Sequence, residues 1–211
     1  MNTFPLDRAA HLAVFASGRG SNLEAILQAF PAGHELASVI MVMSDNAEAG
    51  ALEKASALNL AAYHKAFPTR KQDKEGNGRT AFETEAQARL EQHKIDLICL
   101  AGFMRIFSPA FNERWQGRIL NIHPSLLPHF KGLHPQQQAL EAKVNESGCS
   151  VHFVDAGVDT GPIILQHRVP VMPNDTEESL AARILIAEHQ AYPDAIRLVL
   201  AGKVSSAKVA S

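Results

Sequence analysis

Cysteine is nearly absent from this chain of 211 residues. The two present, Cys99 and Cys149, cannot build a disulfide framework or a four-cysteine zinc site, and they fit a reduced, cytoplasmic setting. An excess of charge of one sign is also missing. Twenty lysines and arginines stand against 22 aspartates and glutamates, so no global field is available to hold a polyanion or an acidic membrane surface. Neither nucleic acid nor membrane is an expected partner. No apolar run reaches the length of a bilayer, and Met1 to His11 carries Asp7 and Arg8 where a signal peptide would be apolar. Several chemical signatures are lacking too: there is no Walker ending, no GxSxG elbow, and no HExxH pair among the ten histidines. Metal and covalent-nucleophile chemistry are therefore disfavoured, and no metal is expected.

What is there is a globular composition, 46% hydrophobic and 20% charged, with enough chain for a real core. Short apolar runs alternate with segments of helical period. Leu12 to Ala16, Ser38 to Met43, Leu97 to Ala101, Arg118 to Ile122, Val151 to Val154 and Ile163 to Val169 read as strands. Ser21 to Phe30, Ala47 to Leu58, Thr80 to His93, Pro109 to Trp115, Pro135 to Val144 and Thr176 to Leu200 read as helices. Of the helix starts, Thr80 with Glu83 and Thr176 with Ser179 and Leu180 beyond it differ in quality, and only the first reads as a capping box. The early strands are apolar throughout, which predicts burial on both faces and hence a mostly parallel, Rossmann-like α/β sheet with flanking helices. Asp155 to Pro162 is too short to hold a crossover helix, so the last two strands should form an antiparallel or irregular edge.

Three places could carry chemistry. The first strand runs through Ser17-Gly18-Arg19-Gly20-Ser21-Asn22 into a helix, and a glycine turn at a helix N-terminus suits a phosphate; the alternative is an ordinary turn with a serine N-cap. In Asn121-Ile122-His123-Pro124, the amide and the imidazole share one side of a strand. They could donate hydrogen bonds to a developing oxyanion, or His123 could simply end a strand. Asp155-Ala156-Gly157-Val158-Asp159 offers Asp159 or Asp155 as a partner for an imidazole, with an Asx-type turn as the plainer reading.

In this order, SGRGSN, LAGFMRIFSP, ILNIHPSLLP, SVHFVDAGVDTGPIILQ and AEHQAYP resemble the phosphoribosylglycinamide formyltransferase family. The resemblance implies a single formyltransferase domain over 1–211, with a phosphate-binding half at about 11–95 and a folate-binding and catalytic half at about 96–202. It implies transfer of a formyl group from 10-formyltetrahydrofolate to the amine of glycinamide ribonucleotide, without metal, by a monomer or homodimer. Asn121 and His123 match the family's oxyanion-stabilising pair, and Asp159 its proton-transfer carboxylate. Gly20, Ser21, Asn22, Leu23 and Glu24 match the nucleotide-binding turn, and Glu188 a carboxylate that grips the ribose hydroxyls. Met104, Arg105, Ile106 and Phe107 match the folate segment, with Asn121 beside it and Asp155, Ala156, Gly157 and Val158 closing over the pterin. An insertion around Lys71 to Gly78 leaves Arg79 or Arg70 as the basic residue near the folate tail; Arg79 is favoured because it directly precedes the helix. The rival readings are a formyltetrahydrofolate hydrolase, methionyl-tRNA formyltransferase and a non-catalytic nucleotide-binding module.

Overall fold

The computed structural model describes residues 4–68 and 77–206. Seven strands form one sheet in the order β3-β2-β1-β4-β5-β6-β7. They are β1 (Ala10–Phe15), β2 (Ala37–Ser44), β3 (Ala61–His64), β4 (Leu97–Leu100), β5 (Ile119–His123), β6 (Glu146–Phe153) and β7 (Ile163–Pro170). Pairing is parallel from β3 to β5 and antiparallel from β5 through β6 to β7. The expected mixed sheet is therefore present. The helices are α1 (Ser21–Ala29), α2 (Gly50–Ala57), α3 (Gly78–Gln92), α4 (Pro109–Arg114), α5 (Pro135–Glu141) and α6 (Glu177–Leu200). None of them is long and apolar enough to cross a membrane.

The apolar strands work as two-sided sheets must. Leu12 and Val14 face a core built with Leu23, Ile26, Ile184 and Ile196 of α1 and α6, while Ala13 and Phe15 face the opposite core with Phe82, Leu90 and Phe111 of α3 and α4. The same alternation puts Leu97 and Cys99 on one side and Ile98 and Leu100 on the other. In β5 the period carries Ile119 into the second core and sends Asn121 and His123 out along that same side.

Some local expectations give way. β3 lacks a sustained apolar run, because this edge strand is only partly buried and has little to hide. The first half of β6, Glu146 to Ser150, extends the expected strand backwards through Gly148 and Cys149. The capping box sits at the other helix. Thr176 accepts from the Ser179 backbone N–H and the Ser179 hydroxyl accepts from that of Thr176, so a serine hydroxyl replaces the usual carboxylate. Thr80 lies inside α3, and Glu83 instead binds the Ser108 N–H and hydroxyl at the start of α4.

Tyr192 ties α6 to the centre of the sheet. Its fully buried hydroxyl lies 2.9 Å from the Leu100 carbonyl oxygen and 3.1 Å from that of Leu120, bracing β4 against β5 beneath Asn121. Replacement by phenylalanine removes the hydroxyl that meets both carbonyls, so Tyr192→Phe should lower the unfolding free energy by about 1 kcal/mol, the usual net worth of a buried hydrogen bond. Urea denaturation measures this, and an unchanged midpoint would remove the brace.

Candidate active site

Strand order reverses between β1 and β4, and ligand crevices of open α/β sheets lie at the carboxyl ends of the strands flanking such a point. The turn after β1 and the loop after β4 flank it here. Gly20 takes a left-handed backbone (φ 78°), and a Cβ at that position would stand 2.9 Å from Ala51 Cα. Glycine is thus required twice over, by conformation and by the close approach of α2. Gly20 is also the N-cap of α1 and provides no side chain to cap it. The alternative of a serine cap falls, and the first-turn N–H groups are left to other acceptors.

Asp45, at the end of β2, joins this turn to the loop after β4. Its almost fully buried carboxylate accepts from the Ser17 hydroxyl at 2.6 Å and from Arg105 Nε at 2.6 Å. Ser17 in turn donates its backbone N–H to the Gly102 carbonyl and accepts from the Met104 N–H. The loop 102–107 is therefore anchored to the glycine turn by the Asp45 carboxylate and by Ser17 itself, with the Arg105 guanidinium held to that anchor through Nε.

Beyond the loop opens a cavity of about 650 Å³. Gly102 to Phe107 form one wall, Asn121 and His123 lie at the end of β5, and Asp155, Gly157, Val158 and Asp159 form the other wall. Its mouth gathers most of the large apolar side chains left exposed among the described residues: Met104, Ile106, Leu133 and Val158. Such concentration marks a ligand surface more than scattered exposure does.

The polar end of the cavity brings together the three expected residues and one unexpected one. His123 Nδ1 lies 3.3 Å from Asp159 Oδ2, and its Nε2 lies 2.9 Å from the Phe130 carbonyl oxygen. Both ring nitrogens thus face acceptors, and donation to a ligand requires exchange of one of them. Asn121 Nδ2 lies 3.4 Å from Asp159 Oδ1 and 3.2 Å from His152 Nε2. His152, paired with Asn121 across β5 and β6, was missed by sequence reasoning. Its Nδ1 lies 2.8 Å from the Phe153 carbonyl and so carries a proton, while Nε2 is 3.5 Å from Asp159 Oδ1. Nε2 thus faces the Asn121 amide, a donor, and the Asp159 carboxylate, an acceptor.

Asp159 sits at the hub in a left-handed backbone conformation (φ 50°). Burial pushes its carboxyl up, but the hydrogen bond with His152, the Gly132 N–H at 3.0 Å and the two imidazoles outweigh that and hold it below the ordinary value. Asp155 does not compete for this place. Its carboxylate accepts from the Gly157 N–H at 3.0 Å and the Thr160 hydroxyl at 2.7 Å, an Asx-type turn that shapes the loop. Asn112 of α4 pins the same loop through the Asp155 carbonyl.

The other expected residues separate from this cluster. Asn22 and Glu188 form a buried pair between α1 and α6, with Nδ2 2.8 Å from Oε2. Ser21 and Glu24 border a shallower cleft of about 450 Å³ against α6, and Leu23 is core. Ala156 is not among the cavity-lining residues. Arg79 also lies outside the lining set; it is exposed in the first turn of α3, which starts at Gly78, so it does not precede the helix as expected. Arg70 and Lys71 to Gly76 fall outside the described residues. The two thiols are buried, and burial pushes Cys149 up to about 12, so neither is a nucleophile at neutral pH.

A Rossmann-like sheet with an uncapped glycine turn and an adjoining polar-ended cavity at the carboxyl ends of its strands defines the class: an α/β protein with a crevice at its switch point. Its family follows from comparison. A profile of the formyl transferase family matches residues 10–196. The phosphoribosylglycinamide formyltransferase of Escherichia coli (strain K12) is 42% identical over 186 residues, 87% of this chain and 84% of that protein. The trifunctional purine biosynthetic protein adenosine-3 of Drosophila pseudoobscura pseudoobscura is 46% identical over 196 residues, 90% of this chain. This chain spans 14% to 19% of the length of the trifunctional insect and vertebrate proteins it matches. The crystal structure of glycinamide ribonucleotide transformylase 1 from Symbiobacterium toebii superposes with a TM-score of 0.84 at 45% identity, over 96% of this chain and 92% of that one. The chain belongs to the formyl transferase family, and the resemblance seen in its motifs is borne out.

The depressed Asp159 pKa has a sign that can be tested. The ionised carboxylate stabilises the fold above its unfolded pKa, and that contribution is lost as pH falls through the lower folded value. Wild type should exceed Asp159→Asn in urea midpoint at about pH 6, and the gap should close towards about pH 3. A constant gap over that range would contradict the assignment.

Proposed function

We propose that this chain transfers the formyl group of 10-formyltetrahydrofolate to the amine of glycinamide ribonucleotide in purine biosynthesis. The observation that carries the reading is the convergence of Asn121, His123 and Asp159 at the polar end of an apolar-mouthed cavity, in a chain of the formyl transferase family. The cavity residues fit the donor. A flat heterocycle needs an apolar slot edged by backbone hydrogen-bonding groups, and Phe103, Met104, Ile106, Phe107, Val158 and the main chain of 102–107 offer both. Arg105 meets the donor through its main chain, its guanidinium being held to Asp45 through Nε. The loop of Asp155, Ala156, Gly157 and Val158 closes the slot, and Arg79 is the basic residue assigned to the tail.

The nucleotide lies on the other side of the switch point. Its phosphate takes the uncapped first turn of α1 at Gly20, Ser21, Asn22, Leu23 and Glu24, with its ribose hydroxyls at Glu188. N–H groups suit an anion and a carboxylate suits hydroxyl donors.

In the transfer step the glycinamide nitrogen forms a bond to the formyl carbon, and the bond from that carbon to the folate nitrogen breaks. Charge gathers on the formyl oxygen as the first bond forms, and N–H groups of Asn121 and His123 stabilise it. The amine must lose a proton and the folate nitrogen must gain one. Asp159, ionised and hydrogen-bonded to the imidazole, accepts the first proton through its local network and returns it to the leaving nitrogen. Holding both reactants side by side supplies much of the rest.

Mixing the purified chain with 10-formyltetrahydrofolate and glycinamide ribonucleotide should change the folate absorbance, whereas water or methionyl-tRNA as sole acceptor should not. Formyl release to water alone would make it a hydrolase, and nucleotide binding without transfer a non-catalytic module. In the same assay, Asn121→Ala and His123→Ala should each lose on the order of a hundred-fold or more in kcat, the usual magnitude for one oxyanion donor. Near-normal turnover by a folded variant would contradict these roles.

A further inference from the structure

Asn22 stands in the glycine turn by sequence, yet its side chain is not turned toward that use. It is 8% exposed, and its amide Nδ2 reaches Glu188 Oε2 at 2.8 Å, across 166 positions of sequence and from α1 to α6. Its carbonyl Oδ1 is buried without a hydrogen-bond partner. Buried polar atoms are seldom left unpaired, and one that is asks for an explanation. Flipping the amide would place Oδ1 against the carboxylate oxygen, so the orientation that serves Glu188 is kept although it strands Oδ1.

Glu188 needs such a partner. It is 7% exposed, and its charge is felt by Cys149 of β6 and Tyr192 of its own helix, neither of them a cation. Burial pushes its carboxyl up, and the Asn22 N–H opposes that. The Asn22 amide binds Oε2 and not Oε1, so one oxygen is fixed while the other is not engaged by it. A buried carboxylate fixed by one donor is oriented for whatever meets its second oxygen.

We propose that Asn22 is a positioning residue: its side-chain amide holds the Glu188 carboxylate for the ribose hydroxyls of the nucleotide, and the side chain does not bind the phosphate. The inference rests on the nucleotide reading given above. It divides the residue in two, with the backbone N–H serving the anion turn and the side chain serving the diol.

The test compares glycinamide ribonucleotide with its 2′,3′-dideoxy counterpart as acceptors for the full chain. Asn22→Ala and the near-isosteric, uncharged Asn22→Leu should raise KM for the diol substrate on the order of ten-fold or more, the scale of a lost hydrogen bond to a charged group. Their kcat should stay within about two-fold, because uniform binding alone is weakened. KM for the dideoxy substrate should not move. Glu188→Gln should show the same selectivity, and adding Asn22→Ala to it should cost nothing further, as expected for residues that act as a unit. Should the alanine variant fail to fold, Asn22→Leu decides alone. Equal KM losses with both substrates, or additive losses in the double variant, would overturn the proposal and return the side chain to the phosphate or to the scaffold. If Glu188→Gln is itself indifferent to the diol, the Glu188 reading fails; if Glu188→Gln is selective and both Asn22 variants are indifferent, only the role of Asn22 fails.

Discussion

The Asp159 carboxylate is charged, almost wholly enclosed and met from several directions at once: His123 from β5, His152 from β6, Asn121 beside them and the Gly132 N–H from the loop after β5. A buried carboxylate without such donors would take up a proton and cease to orient anything. With them it stays ionised, fixes the two imidazoles and the amide relative to one another, and pins the loop 155–159 over the cavity. Most of what can be said of the site depends on this one group being satisfied.

Two further carboxylates repeat the device at other seams. Asp45 couples the glycine turn to the loop after β4 through Ser17 and Arg105. Glu188 meets the first turn of α1 through Asn22. In each case a side chain far away in sequence supplies the hydrogen bond that aligns two segments of the chain. A crevice on this fold requires such ties, because its parts come from the ends of different strands.

Much of the architecture was legible because the strands bury both faces. β1, β2, β4 and β5 show nearly continuous apolar runs, and the short link between β6 and β7 announces their antiparallel pairing. β3 escaped notice because an edge strand needs little apolar cover. Cap chemistry misled at Thr80 and Thr176, since Glu83 found a better use at Ser108 and a serine hydroxyl can close a box as well as a carboxylate can. In the site, Asn121 and His123 were legible from strand period and Asp159 from the motif, whereas His152 was not. Its place opposite Asn121 is a matter of register between β5 and β6, and no local pattern encodes register.

The sequence by itself determined the class of fold, the glycine turn before α1 and the shared side of Asn121 and His123, because hydrophobic period and backbone conformation are local properties. Only the tertiary structure decided that His152 joins Asp159, that the Arg105 guanidinium is an anchor, and that the Asn22 side chain faces Glu188. Those choices depend on which buried charge finds a donor across the sheet. Nearness in space sets that, and a chain read one residue at a time does not display it.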